Sequence, residues 1–324
     1  MNEAVDVGLS GIAGVLPRRA HDVAALSARD LVHSRPEVLR AMGFERAYLC
    51  DTSCTAGDLA IEAASRALSD AGVQSRDIDV VIWASARPES HITASVITDV
   101  APRDKVLQGF RYTSAWLQDA LDLHNAEVMA VAQQGCATMF SALRTARGIL
   151  LTEPRVQHVL CVGVDTLPAG ECREILHTVI SDGACAVVVS RGCTREQWIA
   201  YRQFSRGYYW DPCARGPEIV ASYFPTAKAL IEQLLADVAI TSRDVDFVVG
   251  TGVTPESWDI LAGLVGIPAN RVFRDRPSFG HTITADTFLY LEELRRRPEI
   301  PHGARLLLFT FGFGSSFCGL LLEH

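Results

Sequence analysis

Residues 130–143 read Ala-Val-Ala-Gln-Gln-Gly-Cys-Ala-Thr-Met-Phe-Ser-Ala-Leu. An apolar run typical of a strand stops at Gly135, Cys136 stands at the turn, and an amphipathic helix begins directly after it. A thiol at a helix N-terminus faces unpaired N–H groups and the positive end of the helix dipole, and both favour the thiolate. Cys136 is therefore a candidate nucleophile, although most cysteines are small buried hydrophobic residues.

The bulk composition is that of an ordinary globular enzyme. The 324 residues, 48% hydrophobic and 21% charged, suffice for two domains or one large two-part unit. A net charge of −8 argues against a nucleic-acid partner. We expect no membrane span, because no apolar run approaches about 18–20 residues. The acidic start Met1–Asp6 lacks a signal-peptide pattern, so we expect a cytoplasmic protein.

The nine cysteines are odd in number and irregularly spaced, and none forms a C-x-x-C pair. This pattern predicts reduced thiols rather than a disulfide framework. Cys50 and Cys54 have no matching pair of ligands at the spacing of a zinc site, so no structural metal is expected.

The chain contains a repeated pattern. Residues 75–81, Ser-Arg-Asp-Ile-Asp-Val-Val, return as Ser-Arg-Asp-Val-Asp-Phe-Val at 242–248, and the tripeptide Pro-Glu-Ser at 88–90 returns in the same register at 255–257. Each copy follows an amphipathic helix and precedes a short β-branched strand; the predicted helices are 58–72 and 226–239, and the predicted strands are 80–84 and 247–250. We interpret this as a duplicated α/β unit, with halves at 1–192 and 193–324.

The duplication extends to the region of Cys136. Its strand, turn, helix (137–151) and strand (156–163) correspond to Phe279-Gly280-His281, a helix over 283–296 and a strand over 305–311. Two related helix starts facing each other across a pseudo-twofold axis would bring a thiol and an imidazole to one site. The continuous apolar strands predict parallel or mixed sheets buried on both faces. The stretch 91–112 has no counterpart and is interpreted as an insertion.

Several motifs in this order resemble the thiolase-like superfamily, specifically β-ketoacyl-acyl-carrier-protein synthase III. The motifs are Gly135-Cys136-Ala137, Val162-Gly163-Val164-Asp165, Ser181-Asp182-Gly183-Ala184-Cys185-Ala186, Gly280-His281-Thr282 and Gly312-Phe313-Gly314-Ser315-Ser316-Phe317. The resemblance covers essentially the whole chain. It implies an α/β fold with five αβαβα layers built from two pseudo-equivalent halves, a homodimer, and a coenzyme A or acyl-carrier-protein thioester as donor.

The departures from this family bear on the reaction. Its condensing members use Cys, His and Asn, but His281 stands at the Asn position, and the His position falls near Thr251. His281 is followed by Asp286, which resembles a branch that transfers acyl groups to a hydroxyl or an amine. In that chemistry Cys136 attacks the thioester, His281 acts as the base and Asp286 orients the imidazole. Since positions i and i+5 lie about 140° apart on a helix, the pair requires His281 in the cap turn.

The resemblance also implies the remaining site residues. An oxyanion hole would use the N–H groups of Cys136 and Ser315, and Thr251 and Phe313 would line the substrate pocket. No metal and no cofactor is implied.

The sequence leaves three functions open. The leading one is an acyltransferase acting through acyl-Cys136 on a small-molecule hydroxyl or amine in a biosynthetic pathway. The alternatives are a condensing enzyme that forms a carbon–carbon bond, and a non-catalytic partner subunit of a heterodimer.

Overall fold

The computed structural model describes residues 5–51, 54–87, 112–274, 279–298, 300–313 and 316–324. Its helices, numbered in chain order, are α1 (Val23–Ser27), α2 (Pro36–Ala41), α3 (Ala56–Ala71), α4 (Thr113–Ala120), α5 (Thr138–Thr152), α6 (Pro212–Ala236), α7 (Pro255–Val265) and α8 (Asp286–Arg295). Its strands are β1 (Val7–Val15), β2 (Ala20–Asp22), β3 (Arg46–Tyr48), β4 (Val80–Ser85), β5 (Glu127–Ala132), β6 (His158–Asp165), β7 (Glu174–Ile175), β8 (Thr178–Val179), β9 (Gly183–Arg191), β10 (Gln197–Ser205), β11 (Phe247–Gly250), β12 (Arg305–Gly312) and β13 (Ser316–Glu323).

Nine of the described strands form one mixed sheet in the order β11-β12-β13-β10-β1-β9-β6-β4-β5. Its two parts repeat each other, because β4-β6-β9-β1 and β11-β12-β13-β10 each begin with a parallel pair and continue with two antiparallel pairs. The parts join where β1 meets β10, at the register pair Gly8 and Gln197. The predicted mixed sheet and the pseudo-equivalent halves are therefore confirmed.

The central strands β1, β6, β9 and β13 are buried on both faces, and helices therefore cover each side of the sheet. In β6, Val159 and Cys161 belong to the core around α5 and α8, whereas Leu160 and Val162 pack with α3 on the opposite face. On the second half, α6 and α7 cover the outer face of β12 and β13. The order of layers is α3, the first part of the sheet, α5 with α8, the second part of the sheet, and α6 with α7. The predicted thiolase-like αβαβα fold is confirmed.

Two predicted helix starts differ from the structure. The helix predicted from residue 226 begins at Pro212, because Asp211 caps it by accepting hydrogen bonds from the N–H groups of Cys213 and Ala214 at 3.0 and 3.1 Å. The helix predicted from residue 283 begins at Asp286, because residues 282–285 form a turn.

The remaining expectations concern the insertion, the division of the chain, the cysteines and a membrane span. The insertion at 91–112 lies, except for its last residue, outside the described residues, and the division of the chain at residue 192 remains a prediction. All nine cysteines are free thiols. Within the described ranges, no helix is long and apolar enough to cross a membrane.

Candidate active site

The Cys136 turn joins the edge strand β5 to the central helix α5. Gly135 has a φ of +54°, which a residue without a side chain adopts at little cost, and a 3-10 turn over Gly135–Ala137 leads into the helix. The Thr138 hydroxyl donates to the Gly135 carbonyl at 2.7 Å. Cys136 is 8% exposed, so its thiol lies just beneath the surface at the start of the helix.

The end of β12, in the other half of the chain, presses against this turn. A Cβ atom on Gly312 would lie 1.9 Å from the Gln134 carbonyl oxygen, and one on Gly135 would lie 3.1 Å from the Gly312 Cα. The hydroxyl of Thr310 also donates to the Cys136 carbonyl at 3.5 Å. The two backbones therefore approach so closely that glycine is required at position 312.

The backbone of His281 is hydrogen-bonded to the end of β8 and to the residues directly after it. Its N–H donates to the Val179 carbonyl at 2.7 Å, and its carbonyl accepts from the Ser181 N–H at 2.9 Å. Gly280 precedes it with a φ of +73°, and a Cβ there would lie 2.7 Å from the Ser181 hydroxyl oxygen. His281 thus belongs to the second half of the chain but is bound to the first.

The structure brings Cys136, His281 and Asp286 together. The Cys136 Sγ lies 3.1 Å from the His281 Nε2, and the His281 Nδ1 is hydrogen-bonded to an oxygen of Asp286. His281 precedes α8 rather than lying on it, which allows a pair five residues apart to meet. Because Asp286 holds Nδ1, Nε2 is the nitrogen that can exchange a proton with the sulfur.

The Asp286 carboxylate is fully buried, and neighbouring donors compensate its charge. One oxygen accepts hydrogen bonds from the N–H and hydroxyl of Thr282, the latter at 2.6 Å. The other accepts from the Gly252 N–H at 2.6 Å as well as from His281. A buried carboxylate is tolerated when such partners surround it.

The electrostatics of the site favour a protonated His281 beside an ionised Asp286. Burial lowers the pKa of His281, but the negative charges of Asp286 and Cys136 and their hydrogen bonds raise it, and the resulting pKa lies well above the usual histidine value. Burial raises the pKa of Asp286, whereas the charge of His281 and the hydrogen bonds from His281, Thr282 and Gly252 lower it below its usual value. An imidazolium beside Cys136 is the partner that stabilises a thiolate.

Two other predicted site residues, Thr251 and Phe313, adjoin residues that contact this centre. Thr251 is buried and directly precedes Gly252, and Phe313 directly follows Gly312 and packs edge-on against Phe311. Ser315, predicted for the oxyanion hole, lies outside the described residues. Sequence reasoning missed the Gly252 donor, since no local pattern reports a contact between residues so far apart in the chain.

Two family models match this chain. The model of 3-oxoacyl-[acyl-carrier-protein] synthase III matches residues 132–207, and the model of that enzyme's C-terminal part matches residues 235–324. The two matches together cover just over half of the chain and include both Cys136 and His281.

The chain belongs to the 3-oxoacyl-[acyl-carrier-protein] synthase III family.

Relatives of the synthase III family match over almost the full length. A β-ketoacyl-[acyl-carrier-protein] synthase III of Sphingopyxis alaskensis is 26% identical, with 97% of this chain and 98% of the relative covered. The crystal structure of the Aquifex aeolicus synthase III superposes with a TM-score of 0.82 at 20% identity, covering 98% of this chain and all of that one. The structure of ChlB3, described as an acyltransferase, gives 0.81 at 18% identity, covering 98% of this chain and 97% of that one.

Replacing Gly312 tests the contact between the halves at the Cys136 turn. In Gly312→Ala the new methyl group would overlap the Gln134 carbonyl, so the backbone of this synthase III chain must shift. We expect the free energy of unfolding in urea to fall by about 1–3 kcal/mol. Gly148→Ala is the matched control, because its Cβ meets no described atom within 4 Å and alanine favours the helix. Equal stability of Gly312→Ala and the wild type would contradict the contact.

The pH dependence of stability tests the buried pair. The pKa of His281 is raised on folding. The protonated imidazole therefore contributes its full stabilisation to the free energy of unfolding below the unfolded pKa of 6.5, and this stabilisation is lost as the pH rises through the folded pKa. Because the pKa of Asp286 is lowered on folding, its carboxylate contributes to the free energy of unfolding at pH values above the unfolded pKa of 3.8. Asp286→Asn should therefore lower the free energy of unfolding by about 3 kcal/mol near pH 5.5 and by less near pH 9.5.

The control for this measurement is Asp259→Asn. Asp259 is a surface carboxylate paired with Arg274, which stays charged throughout that range. Its effect on stability should be small and equal at both pH values. A difference for Asp286→Asn that does not change with pH would mean that His281 carries no extra proton in the folded state.

Proposed function

We propose that this synthase III family member is an acyltransferase. It takes an acyl group from a coenzyme A or acyl-carrier-protein thioester onto Cys136 and passes it to the hydroxyl or amine of a small molecule in a biosynthetic pathway. The observation that carries the proposal is the buried chain of contacts from the Cys136 Sγ through His281 to Asp286. Cysteine, base and orienting carboxylate in this order form the arrangement of nucleophilic acyl transfer.

In the first step the Cys136 thiolate attacks the carbonyl carbon of the donor thioester. We propose that the Cys136 N–H donates to the negative oxygen that develops; Ser315, the second donor that the family resemblance implies, lies outside the described residues. The carbon–sulfur bond to the donor then breaks, and the departing thiolate takes the proton of the His281 imidazolium. The products are acyl-Cys136, a free donor thiol and a neutral imidazole, so charge and protons balance.

In the second step the neutral His281 accepts the proton of the acceptor hydroxyl or amine as that group attacks the acyl carbon. The bond from the acyl carbon to Cys136 breaks, and the thiolate–imidazolium pair is restored. Asp286 holds the imidazole in the required orientation and tautomer throughout. Thr251 and Phe313 are proposed to line the space in which the substrates bind.

The relatives of this chain support a thioester donor, and their names suggest a second candidate reaction. The curated relatives are named β-ketoacyl-[acyl-carrier-protein] synthase III, so carbon–carbon bond formation is the second candidate. The replacement of both polarising residues of the family pattern, at Thr251 and His281, supports transfer instead. ChlB3 shares the fold and is described as an acyltransferase, which is consistent with transfer on this scaffold.

We also propose a homodimer that forms along β5. This strand lies at the end of the sheet, and Val128 on it is 38% exposed. An apolar edge strand presents open N–H and C=O groups that a second copy can pair with across a twofold axis. Because β5 leads into Cys136, the dimer interface would lie next to the active site.

A charge on the β5 edge should break this dimer. Val128→Lys is expected to sediment as a monomer at concentrations where the wild type sediments as a dimer, because lysine on an edge strand opposes pairing. Ile260→Lys, on the outer helix α7 and 50% exposed, is the control and should remain dimeric. A monomeric wild type, or a dimeric Val128→Lys, would contradict the proposed interface.

Intact-protein mass spectrometry tests the acyl-enzyme. Mixing the wild type with acetyl-coenzyme A, longer acyl-coenzyme A thioesters or acyl carrier protein loaded with the same groups should add one acyl group, and Cys136→Ala should gain none. His281→Ala should slow loading or transfer by about 10²–10⁴-fold. A loss below ten-fold would remove His281 from the role of base. No adduct with any thioester would favour a non-catalytic subunit.

A malonyl donor separates transfer from condensation. Release of carbon dioxide would indicate carbon–carbon bond formation, whereas a product that retains the malonyl carboxylate would support transfer. Wild type and His281→Ala should be compared, since a condensing role for His281 predicts loss of carbon dioxide release in the variant.

A further inference from the structure

A second buried carboxylate lies beside the His281 turn and has no part in the proposed reaction. Asp165 ends β6 and is fully buried. One of its oxygens accepts hydrogen bonds from the Ser85 hydroxyl and the Ala86 N–H, both at 2.9 Å. The other accepts from the N–H of Thr284 at 3.2 Å and from the Thr284 hydroxyl. Asp165 thus links the ends of β4 and β6 to Thr284.

Thr284 lies in the turn that closes the pair of His281 and Asp286. The turn contains Ile283 at a φ of +57°, a left-handed conformation that costs a β-branched residue free energy. Such a conformation persists only where the surrounding contacts fix it. The bonds from Thr284 to Asp165 provide such contacts at the adjacent residue.

The link connects the two halves of the chain. Asp165 lies in the half that carries Cys136, and Thr284 lies in the half that carries His281. Strand β4, which anchors Asp165 through Ser85, pairs directly with β5, the strand that leads into the Cys136 turn. A displacement of Thr284 would therefore change the position of the imidazole relative to the sulfur.

We infer that Asp165 is a positioning residue, which holds Thr284 and the turn around it so that His281 meets both Asp286 and Cys136. The inference rests on the proposed function of that site. The hydrogen bonds around residue 165 require a carboxylate, because each of its two oxygens accepts from one N–H and one O–H group. The NH2 group of an asparagine would replace one of these oxygens and would face the two donors without an acceptor. Burial raises the pKa of Asp165 to about 6, although its four hydrogen bonds lower it, so the group is ionised at pH 8.

The test measures how fast iodoacetamide alkylates Cys136, followed by mass spectrometry of the peptide that contains it. Thr284→Val keeps the shape of the side chain but removes the hydroxyl donor. We expect alkylation near pH 7 to slow by about ten-fold, the loss that corresponds to one hydrogen bond to a charged group. The pH of half-maximal alkylation should rise, because a displaced imidazolium stabilises the thiolate less. Thr284→Ser should restore both quantities.

Two further measurements separate positioning from a general loss of stability. Thr145→Val makes the same chemical change on α5, where the hydroxyl donates to the Ser141 carbonyl at 2.9 Å, and should stay within about two-fold of the wild type. In an Asp165→Asn background, Thr284→Val should have little additional effect, because the two residues act through one contact.

The inference is overturned if the alkylation rate of Thr284→Val stays within about two-fold of the wild-type rate, or if Thr145→Val slows alkylation as much as Thr284→Val does. It is also overturned if the effects of Asp165→Asn and Thr284→Val on this rate are additive. Alkylation needs no thioester. A wild-type protein that accepts no acyl donor would therefore refute the proposed acyltransferase and leave this test intact.

Discussion

The hydrogen bond between His281 and the buried Asp286 carboxylate is the interaction on which the rest of the site depends. A carboxylate without exposure to water is unfavourable unless donors surround it, and the N–H groups of Gly252 and Thr282 point at it from two parts of the second half. With Asp286 held in this way, Nδ1 of the imidazole is fixed and Nε2 faces the Cys136 sulfur at 3.1 Å. Buried hydrogen bonds therefore determine the orientation of the imidazole.

The duplicated fold explains how two distant turns can be held at that distance. The strands β6 and β12 correspond in the two parts of the sheet. The end of each strand contacts the turn of the other half that carries His281 or Cys136. The end of β6 supplies Asp165 to the His281 turn, and the end of β12 supplies Gly312 and Thr310 to the Cys136 turn. Each turn is thus supported from across the pseudo-twofold axis, so neither half holds a complete site without the other.

The sequence predicted those parts of the structure that local patterns determine. Continuous apolar strands predicted a mixed sheet buried on both faces, the repeated heptapeptide predicted a duplicated α/β unit, and the family resemblance supplied the five layers. A cysteine at a helix start indicated a candidate nucleophile, which the structure places beside His281. The contacts that hold the site join residues far apart in the chain, such as Asp165 and Thr284, and no periodicity reports them. The helix α8 starts three residues later than predicted, because Ile283 has a φ of +57°, which a right-handed helix does not allow.

In the proposed reaction, the raised pKa of His281 orders the two steps. While Cys136 is a thiolate, its charge and that of Asp286 keep the imidazole protonated, so His281 can protonate the departing donor thiol. Acylation removes the charge on the sulfur and with it part of what raises the pKa of His281, so the imidazole left neutral by that proton transfer persists as a base. The acceptor is thus activated only after the acyl group is in place. A condensing reaction needs instead two neutral hydrogen-bond donors to a thioester oxygen. Because the Nδ1 of His281 is bonded to Asp286, this histidine can supply only one such donor, at Nε2.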